Sequence, residues 1–368
     1  MYSVTDTGSE PESRMRVDML EVRWGFIGAG DVTRVHASPA GAFTQEGSRV
    51  VAVATSNVES AKSYAETHGI PRAYASADEL CADREVTAVY ICTPHHQHSQ
   101  LAQLAVRAGK HVLCEKPMAN STAECVAMAK AADEAGVMLG IAYYRRLYPL
   151  VERLKEIITS GQLGTLTTAQ VVKKGYYVPL RGALDSDRRV RWRTALAQSG
   201  GGVLNESGSH RIDLLLYLLG GAQSVSAELD RFEAWYEGED QASVTIRFKN
   251  RVIAQTDHSW CSRTPRDFLA ITGTAGQVII ENLEGNRLLL HTGGASEVIE
   301  SAARPPAAHR ALVADFCQAL RKGTHLRCPG WDGLRTTQLI ELAYQSSRER
   351  RTIDIPPILA RDLTCRSL

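Results

Sequence analysis

The chain has 368 residues, more than one ordinary hydrophobic core organises, which predicts two domains. Lysine and arginine together number 42 and aspartate and glutamate 41, so the net charge of +1 argues against a protein that binds nucleic acid or another polyanion. No apolar run approaches the roughly 18 residues of a membrane span, and the polar start of the chain lacks the apolar core of a signal peptide.

The cysteines form no Cys-x-x-Cys pair, which argues against the common zinc spacings. Several lie inside apolar runs, as buried thiols do, and we expect a reducing cytoplasm for this chain. The eight are Cys81, Cys92, Cys114, Cys125, Cys261, Cys317, Cys328 and Cys365.

The first predicted elements are a strand at Val22–Ile27, a Gly-Ala-Gly turn and a helix at 31–40. Glycines let the backbone approach a pyrophosphate, and the free N–H groups of a helix start attract its charge. Thr33 stands where a third Gly or Ala is usual, and its branched side chain is expected to hold helix and strand slightly apart. The alternative is a plain tight turn. The predicted cofactor contacts here are Gly28, Ala29, Gly30, Asp31 and Val32.

Strands and helices then alternate up to residue 142, which indicates a doubly wound parallel sheet of the Rossmann type, covered on both faces. This repetition favours dinucleotide binding over the plain turn. The further predicted strands are 49–54, 88–92, 111–113 and 137–142, and the predicted helices are 57–68, 99–108 and 121–135.

The end of the second strand carries the residues that distinguish NAD from NADP. An Asp or Glu there would bind the ribose hydroxyls, whereas an Arg nearby would meet a 2′-phosphate. This chain has Thr55, Ser56 and Asn57 instead, so no carboxylate repels a phosphate. We expect NAD or NADP, with NADP favoured, and Ser56, Asn57 and Arg34 as contacts.

Two loops follow the predicted strands 88–92 and 111–113. The carboxyl ends of these strands lie at the same edge of the sheet, where ligands of such folds bind. In the first loop we expect packing against the nicotinamide and capping of the next helix, rather than a metal site, because no carboxylate is near in sequence. The predicted cofactor contacts in the two loops are Thr93, Pro94, His95, His98, Glu115 and Lys116.

Lys116 follows a short buried strand, where an ammonium is costly to bury unless it has a use. Pro117 restricts Lys116 to an extended backbone, and the bond between them is of the kind that can be cis. Neighbouring strand residues point to opposite faces, so Glu115 need not be its ion-pair partner. The alternative is a surface lysine at a strand end.

The second half predicts an α/β domain with a large, mostly antiparallel open sheet, because consecutive strands are joined by short links such as Lys249-Asn250. One face of such a sheet needs cover, so we expect a homodimer or homotetramer formed through it. The predicted strands are 166–172, 224–231, 242–248, 252–259, 268–272, 277–280 and 288–290, with helices at 150–160, 307–322 and 333–347 and an extended piece at 352–356.

Three glycines at 200–202 lead into a helix that becomes strongly apolar at 214–219. Glu206 and His210 lie four residues apart and would share a helix face, where a carboxylate can orient an imidazole and raise its basicity. The alternative is an ordinary helix start with a solvated Glu–His pair.

Four motifs in this order resemble the glucose-fructose oxidoreductase / inositol 2-dehydrogenase / rhizopine-catabolism oxidoreductase family over about residues 22–356. They are Gly-Ala-Gly at 28–30, Thr93-Pro94 with His98, the run from Gly109 to Pro117, and Gly-Gly-Gly at 200–202 with His210 and Asp213. The resemblance implies a flexible tail at 1–20, an NAD(P)-binding Rossmann domain at 21–145 and a substrate-binding and oligomerisation domain at 146–368.

The resemblance also implies hydride transfer between NAD(P) and a hydroxyl or keto carbon of a sugar or cyclitol. By the match, Lys116 is the catalytic lysine and His210 the acid–base histidine, and together they act on one substrate oxygen. Glu206, the third catalytic candidate, stands where Asp is common, which leaves its role open. Candidate substrate contacts, equally compatible with interface or core positions, are Tyr144, Arg145, Tyr176, Arg191 and Trp192.

Two alternatives of the same fold stay open at this point. One is a sensor that binds the dinucleotide without turnover, although such a protein is expected to lack the Lys or the His. The other is a glycosidase that uses NAD transiently and releases a free sugar without net NADH. No metal, membrane or nucleic-acid partner is expected in any of these cases.

Overall fold

The computed structural model describes residues 21–177, 191–233 and 237–358. The predicted tail at 1–20 and Cys365 lie outside the described residues.

The first half of the chain forms a six-stranded sheet in which every pair of neighbours is parallel. The spatial order is β3-β2-β1-β4-β5-β6, so the chain reverses direction across the sheet between β1 and β4. The carboxyl ends of β1 and β4 therefore flank the crevice where such sheets bind ligands. The strands are β1 (Val22–Ile27), β2 (Ser48–Ala54), β3 (Arg72–Tyr74), β4 (Ala88–Ile91), β5 (His111–Cys114) and β6 (Leu139–Ile141).

Helices cover both faces of this sheet, and most begin at a side chain that caps the first free N–H groups. Asn57, Ser76 and Ser121 each accept from the backbone N–H three residues on. The helices are α1 (Asp31–Val35), α2 (Val58–His68), α3 (Ala77–Ala82), α4 (His98–Arg107) and α5 (Thr122–Ala135).

The second half forms a nine-stranded sheet of spatial order β14-β13-β12-β11-β7-β10-β9-β8-β15. The pairing is antiparallel except between β7 and β10, which confirms the predicted mixed but mostly antiparallel sheet. The strands are β7 (Leu166–Tyr176), β8 (Ala222–Asp230), β9 (Gln241–Phe248), β10 (Ile253–Ser259), β11 (Cys261–Gly273), β12 (Gly276–Ile280), β13 (Arg287–Thr292), β14 (Ala295–Glu300) and β15 (Ile353–Asp354).

The helices of the second half join the two sheets into one packed unit. The last two return to the first sheet: Phe316 lies against Trp24 of β1 with ring centroids 5.2 Å apart, and Pro329 forms an isolated bridge with Gly140 of β6. The helices are α6 (Pro149–Thr159), α7 (Leu196–Ser199), α8 (Ser209–Leu219), α9 (Arg310–Lys322) and α10 (Gly330–Glu349).

Several predicted boundaries differ from the structure. The helix predicted at 31–40 ends at Val35, because Pro39 cannot continue its hydrogen bonds, and a separate π-helical turn, Pro39–Phe43, follows. Three elements were not predicted: the strands β3 and β14 and the helix α3. For the strands the reason is that β3 is only three residues long and that β14 is almost wholly exposed. The extended piece predicted at 352–356 is the short strand β15, which pairs with β8.

Candidate active site

A cleft of about 1900 Å³ lies between the two sheets, at the carboxyl ends of β1, β2, β4 and β5. It is lined by most of the predicted site residues, and it is long enough to hold a dinucleotide together with a small substrate. The predicted residues that line it are Gly28, Ala29, Gly30, Asp31, Val32, Ser56, Asn57, Thr93, Pro94, His95, Glu115, Lys116, Tyr144, Arg145, Trp192, Glu206 and His210.

The turn after β1 lies very close to the loop that follows β4. Gly28 has a φ of +103°, and a Cβ there would lie 2.8 Å from the carbonyl oxygen of Cys92. Only glycine therefore fits at this close approach of two loops. Thr33 is fully buried, and its hydroxyl donates to the carbonyl of Gly30 at 2.8 Å, so the fold accommodates it inside the turn.

At the outer end of the cleft the lining is polar and partly cationic. The Oδ1 of Asn57 accepts from the N–H of Ser60 at 3.1 Å as the cap of α2, which leaves its amide N–H groups for a ligand. Ser56 and Arg34 are exposed beside it. The one nearby glutamate on this helix, Glu59, is paired with Lys62 at 3.0 Å.

Two of the histidines after β4 hold loops in place. His98 is fully buried, does not line the cleft, and has its two ring nitrogens 2.9 and 3.0 Å from the carbonyls of Pro117 and Thr93. The cofactor contact predicted for it therefore becomes a link between the two loops that flank the cleft. His95 faces the second half of the chain, with Nδ1 2.9 Å from the carbonyl of Ser199.

Lys116 bridges the two halves of the chain. The peptide bond to Pro117 is cis, and the ammonium donates to the backbone carbonyl of Glu206 at 3.0 Å and to its Oε1 at 3.3 Å. The same carboxylate lies 3.4 Å from His95 Nε2 and 3.8 Å from Arg193 Nε. Burial opposes ionisation of Glu206, but the charges of Lys116, His95 and Arg193 outweigh it and hold its pKa well below the usual range.

The predicted orientation of His210 by Glu206 is not what the structure shows. The carboxylate turns to its three basic neighbours, and Nδ1 of His210 is buried without a hydrogen-bond partner. Cationic groups attract a carboxylate more strongly than a neutral imidazole does, which explains the difference. Burial, and then the charge of Lys116, lower the pKa of His210 well below 6.5, so its imidazole is neutral at neutral pH.

A buried glutamate fixes the backbone of Lys116. Oε2 of Glu115 accepts from the Lys116 N–H at 3.1 Å, and Oε1 accepts from Tyr90 at 2.6 Å and His309 at 2.7 Å. Burial raises the pKa of Glu115, but His309, Tyr90 and Lys116 lower it more, to about 2. His309 was not predicted, because the coil that precedes α9 carries no motif.

The predicted substrate contacts divide into two groups. Tyr144, Arg145 and Trp192 line the cleft, and Arg145 is already paired with Glu284. Tyr176 and Arg191 do not line it, whereas Tyr177, one position on from Tyr176, and Arg193, two positions on from Arg191, do. Side chains alternate between faces along a strand, so at the end of β7 a one-residue shift decides which tyrosine meets the cleft.

Within the described part of the chain, no cluster of His, Cys, Asp or Glu is arranged to hold a metal ion. No described helix is long and apolar enough to cross a bilayer.

Comparison with known proteins places the whole cleft in one family. Residues 22–143 match the family model described as an oxidoreductase family with an NAD-binding Rossmann fold, and residues 155–355 match its C-terminal α/β domain. The chain is 32% identical to 1,5-anhydro-D-fructose reductase of Ensifer adhaerens over 264 residues, which cover 71% of this chain and 76% of that protein.

A second relative is trans-1,2-dihydrobenzene-1,2-diol dehydrogenase of Sus scrofa, 31% identical over 71% of this chain and 74% of its own length. Among solved structures, aldose-aldose oxidoreductase from Caulobacter crescentus, complexed with glycerol, superposes with a TM-score of 0.81 at 27% identity, over 91% of this chain and 99% of that one. With both halves matched, the chain belongs to the Gfo/Idh/MocA family of NAD-binding oxidoreductases.

Proposed function

We propose that the protein transfers a hydride between a nicotinamide cofactor and a hydroxyl or keto carbon of a sugar, sugar derivative or cyclitol. The observation that carries the proposal is the common cleft, which is lined by Lys116 from one half of the chain, by His210 from the other, and by the Gly28 turn. The charge of Lys116 is one cause of the lowered pKa of His210. The relatives named above as sugar reductases or oxidoreductases support the substrate class.

The residues of the cleft have separate tasks in the proposed reaction. A bound nicotinamide would supply the acceptor or donor of the hydride. In oxidation, neutral His210 takes the proton of the substrate hydroxyl, and in reduction it returns one. Lys116 donates a hydrogen bond to the same oxygen and stabilises the charge that develops there. Tyr144 and Trp192 offer rings that suit the C–H face of a sugar.

We further propose NADP over NAD. Support comes from the outer end of the cleft, where Arg34 and Ser56 are exposed, and where the Glu59 carboxylate on the adjacent helix is paired with Lys62. A guanidinium suits a 2′-phosphate, and a neutral strand end does not repel it. Thermal unfolding with each cofactor is the direct measurement, and a larger stabilisation by NAD would contradict the preference.

We also propose that the protein forms a homodimer or homotetramer through the second sheet, and that it resides in a reducing cytoplasm. Val172, Phe268 and Ala270 form an apolar cluster separate from the main core, with Ile279 packed against it, on the face of the sheet opposite Val171 and Leu269. The seven described cysteines are free thiols. Sedimentation equilibrium tests the assembly, and a monomer at micromolar concentration would contradict it.

The decisive experiment replaces Lys116 and His210 separately by alanine and measures turnover over a panel of sugars, cyclitols and trans-1,2-diols. Each variant is expected to lose about 100-fold or more in kcat, the usual contribution of a positioned acid–base group. Cofactor binding, read from thermal unfolding, should persist in the His210 variant. His96→Ala, at an exposed position outside the cleft, is the matched control. Near-full turnover by both variants with intact folding would refute the scheme.

A further inference from the structure

His309, the residue before α9, reaches the cleft from the far end of the sequence. Its backbone N–H donates to the carbonyl of His36 at 3.2 Å, and its side chain is only 1% exposed although it lines the cleft. A buried imidazole costs free energy unless its polar atoms are used. The contacts of this ring therefore indicate what it does.

The first contact is with the carboxylate that holds Lys116. Glu115 is ionised, so both of its oxygens can only accept hydrogen bonds. The His309 Nε2 that lies 2.7 Å from Oε1 must then carry a hydrogen and donate it. Because Oε2 of the same carboxylate accepts from the Lys116 N–H at 3.1 Å, one carboxylate joins His309 to the backbone of Lys116.

The second contact is with Tyr144, whose ring also packs against His210. The ring of Tyr144 contacts both imidazoles, with its centroid 4.5 Å from that of His309 and 5.1 Å from that of His210. His309 therefore contacts a neighbour of each proposed catalytic group. It forms a hydrogen bond with Glu115, which binds the Lys116 backbone, and its ring packs against Tyr144, which packs against His210.

We propose that His309 is a positioning residue for hydride transfer: its Nε2–H holds Glu115, and Glu115 holds the Lys116 backbone so that the ammonium meets the substrate oxygen. This inference rests on the proposed function. The hydrogen bond, rather than the ring packing, is the part that sets turnover, since a small displacement of a group that binds the reacting oxygen is costly to the rate.

Three substitutions separate the hydrogen bond from the ring. His309→Phe keeps a ring against Tyr144 and removes the donor. His309→Gln removes the ring but can place an amide N–H close to the former Nε2. His309→Asn carries the same amide one methylene short, so it cannot reach Glu115 in the same way. The Gln and Asn variants carry the same amide group, so a comparison of these two tests the hydrogen bond even where the Phe variant folds poorly.

Turnover and cofactor affinity are measured for all three, with His325→Phe as an exposed control. The Phe and Asn variants are expected to lose about ten-fold in kcat, the order of effect of one hydrogen bond to a charged group. The KM for substrate and the cofactor-induced rise in Tm should stay close to wild type. The Gln variant is expected to recover most of the lost kcat.

Equal kcat values for the wild type and the Phe and Asn variants would overturn this inference alone. Equal losses in the Gln and Asn variants would also overturn it, because the ring and not the donor would then matter. A wild-type protein that binds cofactor but turns over no alcohol or ketone would overturn the proposed function, and this inference with it.

Discussion

Glu206 is the residue on which the charges of the cleft converge. Its carboxylate faces Lys116, His95 and Arg193, and its backbone carbonyl also accepts from the Lys116 ammonium. The spacing of Glu206 and His210 was visible in the sequence. The partners of the carboxylate come from other parts of the chain, so the spacing alone left its role open.

We predict that Glu206→Gln lowers kcat by about ten-fold or more. The amide keeps the shape but loses the charge that holds the Lys116 ammonium, and such charged hydrogen bonds contribute about 1.5–3 kcal/mol. The pH at which His210 titrates in the rate profile should change little, because no contact joins the two side chains. Steady-state kinetics over pH is the measurement, and Glu297→Gln on the exposed edge strand β14 is the control. A variant that shifts the pH profile at unchanged kcat would favour the orienting role instead.

The local geometry of the cofactor turn was more predictable than the charge network. The strand–turn–helix pattern predicted a glycine turn here, for the approach of a pyrophosphate. In the structure the positive φ of Gly28 and the nearby carbonyl of Cys92 require the glycine. Tyr177 was missed by one position and Arg193 by two, because a sequence pattern locates a segment more reliably than the direction of one side chain.

At the scale of elements, the segment that carries Glu206 and His210 is held at its start by one glutamate. Glu239, in the loop between β8 and β9, accepts from the N–H groups of Gly202 and Leu204 at 2.9 Å each, and from the hydroxyl of Tyr344 at 2.9 Å. A Cβ on Gly202 would lie 1.8 Å from the carbonyl of Glu239, so the glycine run permits this close approach. Gly202 therefore serves this contact, whereas a Cβ on Gly200 would meet Asn120 and one on Gly201 would meet the hydroxyl of Tyr344.

We predict that Glu239→Gln destabilises the fold by about 2 kcal/mol and reduces turnover as well. The amide has a single accepting oxygen, so one of the backbone N–H groups loses its partner, which costs about 1–3 kcal/mol. Urea unfolding gives the stability change. Tyr344→Phe removes only the third hydrogen bond and should cost less, about 1 kcal/mol. Equal stability of the Glu239 variant and the wild type would show that the hydrogen bonds accepted by Glu239 contribute nothing to the free energy of unfolding.

Across the elements, long periodic segments were predicted well and short or exposed ones were not. Helix α10 begins at Gly330, three residues before the predicted start, because Pro329 immediately precedes it and fits a helix entrance. The edge strand β14 alternates too weakly in polarity to be recognised. Its pairing with β13 comes from the sheet, not from its own side chains.

At the scale of the whole molecule, the cleft depends on contacts between residues far apart in sequence. Lys116 meets Glu206 across 90 positions, and Glu115 meets His309 across 194. Arg146, which is 2% exposed, binds Asp213 of α8 and Asp332 of α10 and so links these two helices. Periodicity carries no information about such contacts. The fold class was therefore predictable from the chain, and the interlobe network was not.

Buried histidines make the whole fold sensitive to acid. Burial lowers the pKa of His98 to about 4, that of His258 to about 3 and that of His210 well below 6.5. The unfolded chain binds protons at these positions near pH 6.5, before the fold does. Their contribution to stability is therefore complete above about pH 6.5 and is lost as the pH falls below it.

We predict that His258→Gln weakens this acid sensitivity. His258 lies on β10 outside the cleft, with Nε2 2.6 Å from the Thr256 hydroxyl and Nδ1 buried without a partner. Between pH 7.5 and pH 5, the free energy of unfolding of the wild type should fall by about 2 kcal/mol more than that of the variant, since one buried neutral imidazole contributes about 1.4 kcal/mol per pH unit below 6.5. Urea unfolding at several pH values measures both. Parallel curves for the His258 variant would mean that this imidazole binds its proton equally well in the folded and the unfolded chain, which would contradict the prediction.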